Sequence, residues 1–150
     1  MKLCILVSIK TDKDRIKRVS LSINESGFAY QILGTPSSRL ILCIRNFFEN
    51  YQNGYPLPPL EWGSVTPFTE KVLKVLQTIP FGKTLTYGEV ARQLGQPKAA
   101  RAVGGACRSN PFPLFLPCHR VVGSSSIGGF SGGIDLKKIL LNFEISKSLL

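Results

Sequence analysis

Histidine, tryptophan and methionine are each present once, and only 9 acidic residues stand against 19 Lys+Arg. The lone histidine excludes a two-histidine metal site. The four cysteines, Cys4, Cys43, Cys107 and Cys118, form no CxxC pair, so no metal site is expected. The longest apolar stretches, such as Leu3 to Val7 and Leu40 to Ile44, fall far short of the roughly 20 residues of a transmembrane helix. No membrane partner is expected. The N-terminus starts like a signal peptide, but its apolar run ends at Ser8-Ile9-Lys10 with no small-residue cleavage site, and it reads as a strand. Unpaired cysteines at irregular spacing suit a reducing compartment. The expected location is the cytoplasm, nucleoid-associated in a bacterium and nuclear in a eukaryote.

Charged residues make up 19% of the chain and hydrophobic ones 43%, which excludes a disordered polyelectrolyte. At 150 residues the chain can bury about 68–70% of its unfolded surface, enough for one good core or two small ones. The net charge of +10 must therefore lie on a folded surface and calls for a polyanion. Residues 1–65 carry 8 basic and 5 acidic side chains, whereas 66–150 carry 11 and 4. Between Glu89 and Asp135 there is no acid at all, while Arg92, Lys98, Arg101, Arg108 and Arg120 fall in that interval. A nucleic acid could approach there without meeting a like charge.

The hydrophobic pattern predicts an α+β protein in two parts. Leu3–Ile9, Ile16–Ile23 and Phe28–Leu33 read as strands of a small antiparallel sheet, covered by a helix from Pro36 to about Asn50. Residues 53–65, beginning Asn53-Gly54-Tyr55-Pro56, read as a linker closing an N-terminal domain of residues 1–65. In the second domain, 66–150, Thr66-Pro67 opens a helix with Phe68, Val72, Val75, Leu76 and Ile79 inward, closing at Pro80-Phe81-Gly82. Thr86 and Glu89 match a capping box for a helix stopping at Gly95. Pro97 opens the next, about Lys98 to Arg108. This is the outline of a helix-turn-helix whose second helix would face DNA. On that helix Arg101, Gly104, Gly105 and Arg108 share one face, while Ala100, Val103 and Cys107 supply inward contacts. A glycine pair at a cost of about 1 kcal/mol each suits either close helix packing or close approach to a large body.

The strongest chemical signal is Asn110-Pro111-Phe112-Pro113-Leu114-Phe115-Leu116-Pro117-Cys118-His119-Arg120-Val121-Val122. Cys118 is flanked by proline, the sole histidine and an arginine. A thiol with an ordinary pKa of about 8.5 would find its thiolate favoured there, which is what a nucleophile requires. Neighbouring side chains diverge, so a bridging water is the expected proton path between His119 and Cys118.

Pro117-Cys118-His119-Arg120-Val121-Val122 resembles the active-site signature of the O6-alkylguanine-DNA alkyltransferases, also called methylated-DNA-protein-cysteine methyltransferases. Lys98 to Ala106 resembles the family's recognition helix, Ser109-Asn110-Pro111 its hinge, and Ser131-Gly132-Gly133 the loop closing its pocket. With Phe81-Gly82 and Thr86-Tyr87, the likeness spans residues 66–146 in order and spacing. It implies a small N-terminal ribonuclease H-like α/β domain and a winged-helix-like, helical DNA-binding domain. The implied reaction takes an alkyl group irreversibly from O6 of guanine, chiefly O6-methylguanine, and also from O4-methylthymine. The acceptor is the protein's own Cys118, used once, without cofactor. The partner is duplex DNA carrying the lesion, bound by a monomer, with cooperative binding left open.

By the same resemblance the target base is flipped out of the duplex and Arg101 fills its place. Tyr87 helps to rotate the target phosphate and hydrogen-bonds the guanine. Glu144 fixes His119, and Asn110 ties the reading helix to the active-site turn. Ala100, Ala102, Gly104, Gly105, Arg108 and Arg120 join Arg101 and Tyr87 against DNA. Pro113, Val121, Phe130 and Ser131 form the substrate pocket. By spacing alone Glu144 would be a solvated glutamate. The chain departs from the family pattern at Phe130, more often Tyr, and at Cys107, usually a larger apolar residue. Two alternatives are an alkyltransferase-like damage-binding protein, which would lack Cys118, and a thiol hydrolase or redox protein, which would leave the basic helix pair unexplained.

Overall fold

The computed structural model describes residues 2–63 and 65–148. It is an α+β fold. Strands β1 (Ile5–Lys13) and β2 (Arg15–Ile23) form a hairpin through a two-residue turn in which Lys13 takes a φ of 51°. Strand β3 (Ala29–Pro36) then pairs with β1 rather than β2, in parallel, giving the order β2-β1-β3. The sheet is therefore mixed and not the antiparallel one expected. The reason lies in β1: Ile5, Val7 and Ile9 are all fully buried, and so apolar a strand is best placed at the centre. This leaves the more polar β2 at the edge. Pairing also runs past Ile9 through Lys10, Thr11 and Asp12, where backbone bonding to both neighbours continues after the apolar alternation has ended.

Gly34 is required by this arrangement. It sits at φ +97° against the Thr11 carbonyl, where a Cβ would collide. Helix α1 (Ser38–Glu49) is capped by the Ser37 hydroxyl, which accepts from the Leu40 N–H at 3.2 Å, and packs Leu40, Ile44 and Phe47 on the sheet.

The outer edge of β2 is stitched to the segment that follows α1 and, at one point, to the second half of the chain. Ile16 N–H donates to the Pro59 carbonyl (2.8 Å), Glu61 N–H to the Ile16 carbonyl (2.9 Å) and Val19 N–H to the Pro111 carbonyl (2.9 Å). Phe47 stacks on Phe115 with centroids 4.5 Å apart, and Trp62 meets Phe112 edge-on at 5.9 Å. One hydrophobic cluster runs from Ile5 to Leu140 across both halves.

Helix α2 (Pro67–Leu76) starts at the Thr66 cap and buries Val72, Leu73 and Leu76. The Thr86/Glu89 capping box forms at the head of α3 (Tyr87–Gln93). Helix α4 (Ala100–Arg108) begins later than the sequence suggests, because Pro97 and Lys98 lie in a turn and Ala99 provides no side-chain cap. It packs on α2 and α3. A short parallel ladder of β4 (Leu85–Thr86) and β5 (Val121–Val122) sets the head of α3 beside the Cys-His-Arg segment. Helix α5 (Ile134–Ser148) closes the fold. No helix among the described residues is long and apolar enough to cross a membrane.

Gly54 also has positive φ, +76°, but with open space around it. Gly54→Ala is expected to cost about 1 kcal/mol for the backbone alone, and Gly34→Ala at least about twice that, because the clash with Thr11 adds to it. Urea unfolding of the two variants measures the difference. Equal losses would mean that the β1–β3 pair simply shifts to make room.

Candidate active site

The turn from Asn110 to Pro117 is held from within. The Asn110 side-chain amide donates to the Leu116 carbonyl (2.8 Å), its Oδ1 accepts from Phe112 N–H (2.9 Å), and Leu116 N–H donates to the Phe112 carbonyl (2.9 Å). Leu114, buried, is held at φ 77°, which is rare for leucine. These bonds deliver Cys118 to the start of a 3-10 turn, Cys118–Arg120, with 2% of its surface exposed.

The two residues after Cys118 both converge on Glu144 of α5. His119 Nε2 lies 2.7 Å from Glu144 Oε1, and Arg120 donates from Nε to Oε2 at 2.9 Å and from Nη2 to Oε1 at 3.0 Å. The Tyr51 hydroxyl donates to Oε1 at 2.7 Å and the Gly82 N–H to Oε2 at 3.2 Å. Burial alone would raise the Glu144 pKa, but hydrogen bonds and charge from His119 and Arg120 outweigh it and hold the carboxyl at about 2. Burial lifts the Tyr51 hydroxyl well above its ordinary value, and the Glu144 charge lifts it further, so it stays a donor.

Burial lowers the His119 pKa from 6.5 against the pull of Glu144, so the ring is neutral at pH 7. A carboxylate held at about 2 can only accept, so the imidazole proton is assigned to Nε2. This leaves a lone pair on Nδ1. That atom is buried and has no hydrogen-bond partner among the described residues. On the preceding residue, burial pushes the Cys118 thiol up to about 11, with the Asn110 side chain and the Lys137 charge opposing. The resting group is thus a thiol and not the favoured thiolate that the flanking residues suggested: desolvation outweighs the neighbouring cation.

Arg120 is also placed differently from its assignment against DNA. It is 7% exposed, committed to Glu144, and its Nη1 donates to the Ile79 carbonyl at 2.7 Å. Its guanidinium lies 5.7 Å from the Tyr51 ring centroid and 5.9 Å from that of Phe81.

Two contributors had no sequence-based assignment. Tyr51 is one. The other is Lys137, fully buried, whose ammonium donates to the carbonyls of Val121 (2.7 Å) and Gly129 (3.0 Å) and to the Tyr87 hydroxyl (3.4 Å). Both Lys137 and Glu144 share the buried face of α5 with Leu136, Leu140 and Leu141. A charged residue on an apolar stripe was the available signal. Tyr87 is half-buried, and burial followed by the nearby cysteines raises its pKa. Gly128, at φ +78°, leaves room for its hydroxyl where a Cβ would collide.

Pro113 is buried, Phe130 half-buried and Ser131 exposed in the 123–133 loop. Arg101, Ala102 and Arg108 are exposed on α4, and Ala100, Gly104 and Gly105 half-buried. A Cβ on Gly104 or Gly105 would meet nothing closer than 3.8 Å, so packing within the protein does not demand these glycines. Burial raises the Cys107 thiol to about 12, with the neighbouring Cys118 adding to it.

Glu144→Gln leaves Arg120 buried and under-compensated, so a loss of about 3–5 kcal/mol is expected at pH 7. Because the folded-state pKa is depressed from 4.5 to about 2, the carboxylate stabilises fully above about pH 4.5 and its contribution is lost as pH falls through about 2. The gap between wild type and the Gln variant in urea unfolding is therefore expected to be widest near neutrality and to narrow in acid. A constant gap would show that the carboxylate charge is not the stabilising element.

Residues 67–146 match the profile of the 6-O-methylguanine DNA methyltransferase DNA-binding domain. The chain is 51% identical over 139 residues to a probable methylated-DNA–protein-cysteine methyltransferase of Acanthamoeba polyphaga mimivirus, covering 93% of this chain and 89% of the relative. It is 52% identical over 80 residues to the Methanocaldococcus jannaschii methylated-DNA–protein-cysteine methyltransferase, covering 53% of this chain and 47% of that one. The fold is similar to Mycobacterium tuberculosis OGT crystallised in complex with DNA, with a TM-score of 0.70 and 32% identity over 93% of this chain and 86% of the other. It is equally similar, at a TM-score of 0.70 and 26% identity, to the O6-methylguanine-DNA methyltransferase of Pyrococcus kodakaraensis, covering 93% and 98% of the two chains. With a profile match over more than half its length and a viral relative 51% identical along nearly all of it, the chain belongs to the methylated-DNA–protein-cysteine methyltransferase family.

Proposed function

We propose that the chain reverses DNA damage directly. It takes the alkyl group from O6 of guanine, chiefly methyl, and from O4-methylthymine onto Cys118 once per molecule. The observation that carries this reading is His119. Its Nε2 is committed to Glu144, while its Nδ1 is a buried lone pair without a partner among the described residues, on the residue that follows a thiol held at about 11. A thiol with so high a pKa needs a base to react, and a neutral imidazole with a free lone pair can act as one.

Cys118 passes its proton through a bridging water to Nδ1, and Glu144 stabilises the imidazolium that results. The sulfur then attacks the alkyl carbon. The S–C bond forms as the C–O6 bond breaks, and the electron pair stays with guanine. Tyr87, kept protonated by its raised pKa, donates a hydrogen bond to the base as charge develops. Lys137 anchors Tyr87, Val121 and Gly129 to one another, which fixes the wall against which the base edge sits with Ser131. Restoring the cysteine would require another nucleophile to break the stable S–C bond of the thioether and expel the thiolate, so the protein is consumed by one turnover.

An alkylated guanine inside a duplex is out of reach of a buried sulfur, so the nucleotide is flipped out. Helices α3 and α4 serve as the helix-turn-helix of the 66–150 unit, with the 1–65 unit buttressing the active-site turn. Arg101 enters the stack while Gly104 and Gly105 let the α4 backbone approach the groove. The freedom around those glycines and the acid-free interval 90–134 support this reading.

With an O6-methylguanine duplex, one methyl per protein is expected on Cys118 by mass spectrometry, and none in Cys118→Ala. Transfer that survives that variant, or multiple turnover, would overturn the mechanism. Arg101→Ala is expected to slow repair of the duplex at least about tenfold more than attack on free O6-alkylguanine, and equal losses would remove its role in the stack. Because burial lowers the pKa of His119 from its ordinary 6.5, the single-turnover rate should hold near neutrality and fall with a midpoint more acidic than that ordinary value. A fall that begins above pH 7 would indicate another base.

A further inference from the structure

The Glu144 carboxylate has more donors than places for them. Its two oxygens offer about four lone-pair sites, and five donors reach them: the Tyr51 hydroxyl, the Gly82 N–H, His119 Nε2 and two nitrogens of Arg120. Three of these meet on Oε1, at 2.7 Å from Tyr51, 2.7 Å from His119 and 3.0 Å from Arg120. Donors on one oxygen compete, so what Tyr51 draws from Oε1 is withheld from the imidazole. Tyr51 differs from Arg120 in being neutral: it draws on the oxygen without itself repelling a protonated ring, as the Arg120 charge does. It is also the one side chain from the 1–65 half that bonds to Glu144 among the described residues.

The hydroxyl is aimed by packing. The Tyr51 ring stands edge-on to Phe47 (5.8 Å) and to Phe81 (5.6 Å), with the Arg120 guanidinium 5.7 Å from its centroid, so it has little freedom to swing away. The other groups that bear on His119 are few. Helix α5 supplies Glu144 and Lys137, and the turn itself supplies Arg120 and the Cys118 thiol. Helix α2, which also packs on this turn, buries Thr69, Val72, Leu73 and Leu76, pairs Glu70 with Lys74 at its surface and leaves Lys71 exposed.

We infer that Tyr51 is a positioning residue for the transfer reaction, which acts through Glu144 to restrain the basicity of His119 and so keeps the ring free to take a proton at neutral pH. The inference rests on Cys118 being the alkyl acceptor and His119 its base. When Nδ1 takes the thiol proton, the positive charge on the ring is stabilised by Oε1, the same oxygen that Tyr51 occupies. Stabilisation that is too strong would fill Nδ1 with a solvent proton before the thiol could deliver its own. The result is a somewhat weaker base that is fully available, where a stronger one would already be protonated. The N-terminal half thereby takes part in the chemistry without touching the substrate.

His119 is the chain's only histidine, so its ring protons can be followed through a pH titration by proton NMR of the full chain, without interference from a second imidazole. Tyr51→Phe keeps the ring and removes only the hydroxyl. Its His119 midpoint is expected to rise by about half a pH unit, about a threefold gain in proton affinity. The acid limb of the single-turnover rate on an O6-methylguanine duplex is expected to move up with it. Phe47→Leu loosens the same aromatic packing and removes no donor, so it is expected to lower the thermal stability and leave the midpoint in place. An unmoved or lowered midpoint in Tyr51→Phe would overturn the role, even if the rate fell equally at every pH, and so would an equal rise in Phe47→Leu. The titration needs no substrate, so the two readings fail separately. A wild-type protein that leaves the methyl group on DNA overturns the alkyl-transfer reading, and the part of Tyr51 in it, whereas normal transfer with an unmoved titration overturns the role of Tyr51 alone.

Discussion

The Glu144 carboxylate, buried at 1% exposure, is the constraint around which the rest is arranged. It accepts from three separate stretches of chain: Tyr51 after α1, Gly82 in the turn before α3, and both His119 and Arg120 next to the cysteine. A buried carboxylate is costly to desolvate, and the cost is met only when all its partners are present together. The same contacts that tie these segments together therefore fix the orientation of the imidazole. Burial, with the charge of Arg120 beside it, keeps His119 neutral instead of a permanent imidazolium paired with the acid. Two cations on one carboxylate would leave a net positive charge in a dry site.

Local chemistry was legible in the sequence, and relations between distant segments were not. The capping box at Thr86 and Glu89 and the caps at Ser37 and Thr66 depend on residues three positions apart, and all three form. The mixed order of the first sheet depends on which strand is most completely buried, a property of the assembled core, and periodicity alone read it as antiparallel. Arg120 shows the same limit at the scale of one side chain. Its charge placed it on a basic surface, but the surface lacks it because Glu144, 24 residues away, takes it inward. The cysteine was judged by its sequence neighbours, while its proton affinity is set mainly by burial, which those neighbours do not reveal.

Helix α5 shows what a closer reading of pattern could have recovered. Lys137 and Glu144 fall on the stripe formed by Leu136, Leu140 and Leu141, and charged residues on such a stripe are almost never left unpaired. Their burial was inferable from spacing, although their partners were not. Tyr51 offered no comparable sign, since its position continues the apolar series of α1 and its hydroxyl acts only once α5 is docked. The two halves thus meet at a polar centre as well as through the Phe47–Phe115 stack.

The packing of Trp62 against Phe112 has a practical side. Phe112 lies in the turn that leads to Cys118, and its N–H is bonded to Asn110. Trp62 is the chain's sole indole. Its intrinsic emission is therefore an unlabelled optical gauge of that turn, free of background from other tryptophans, and whatever rearranges the turn is readable in the native protein by fluorescence.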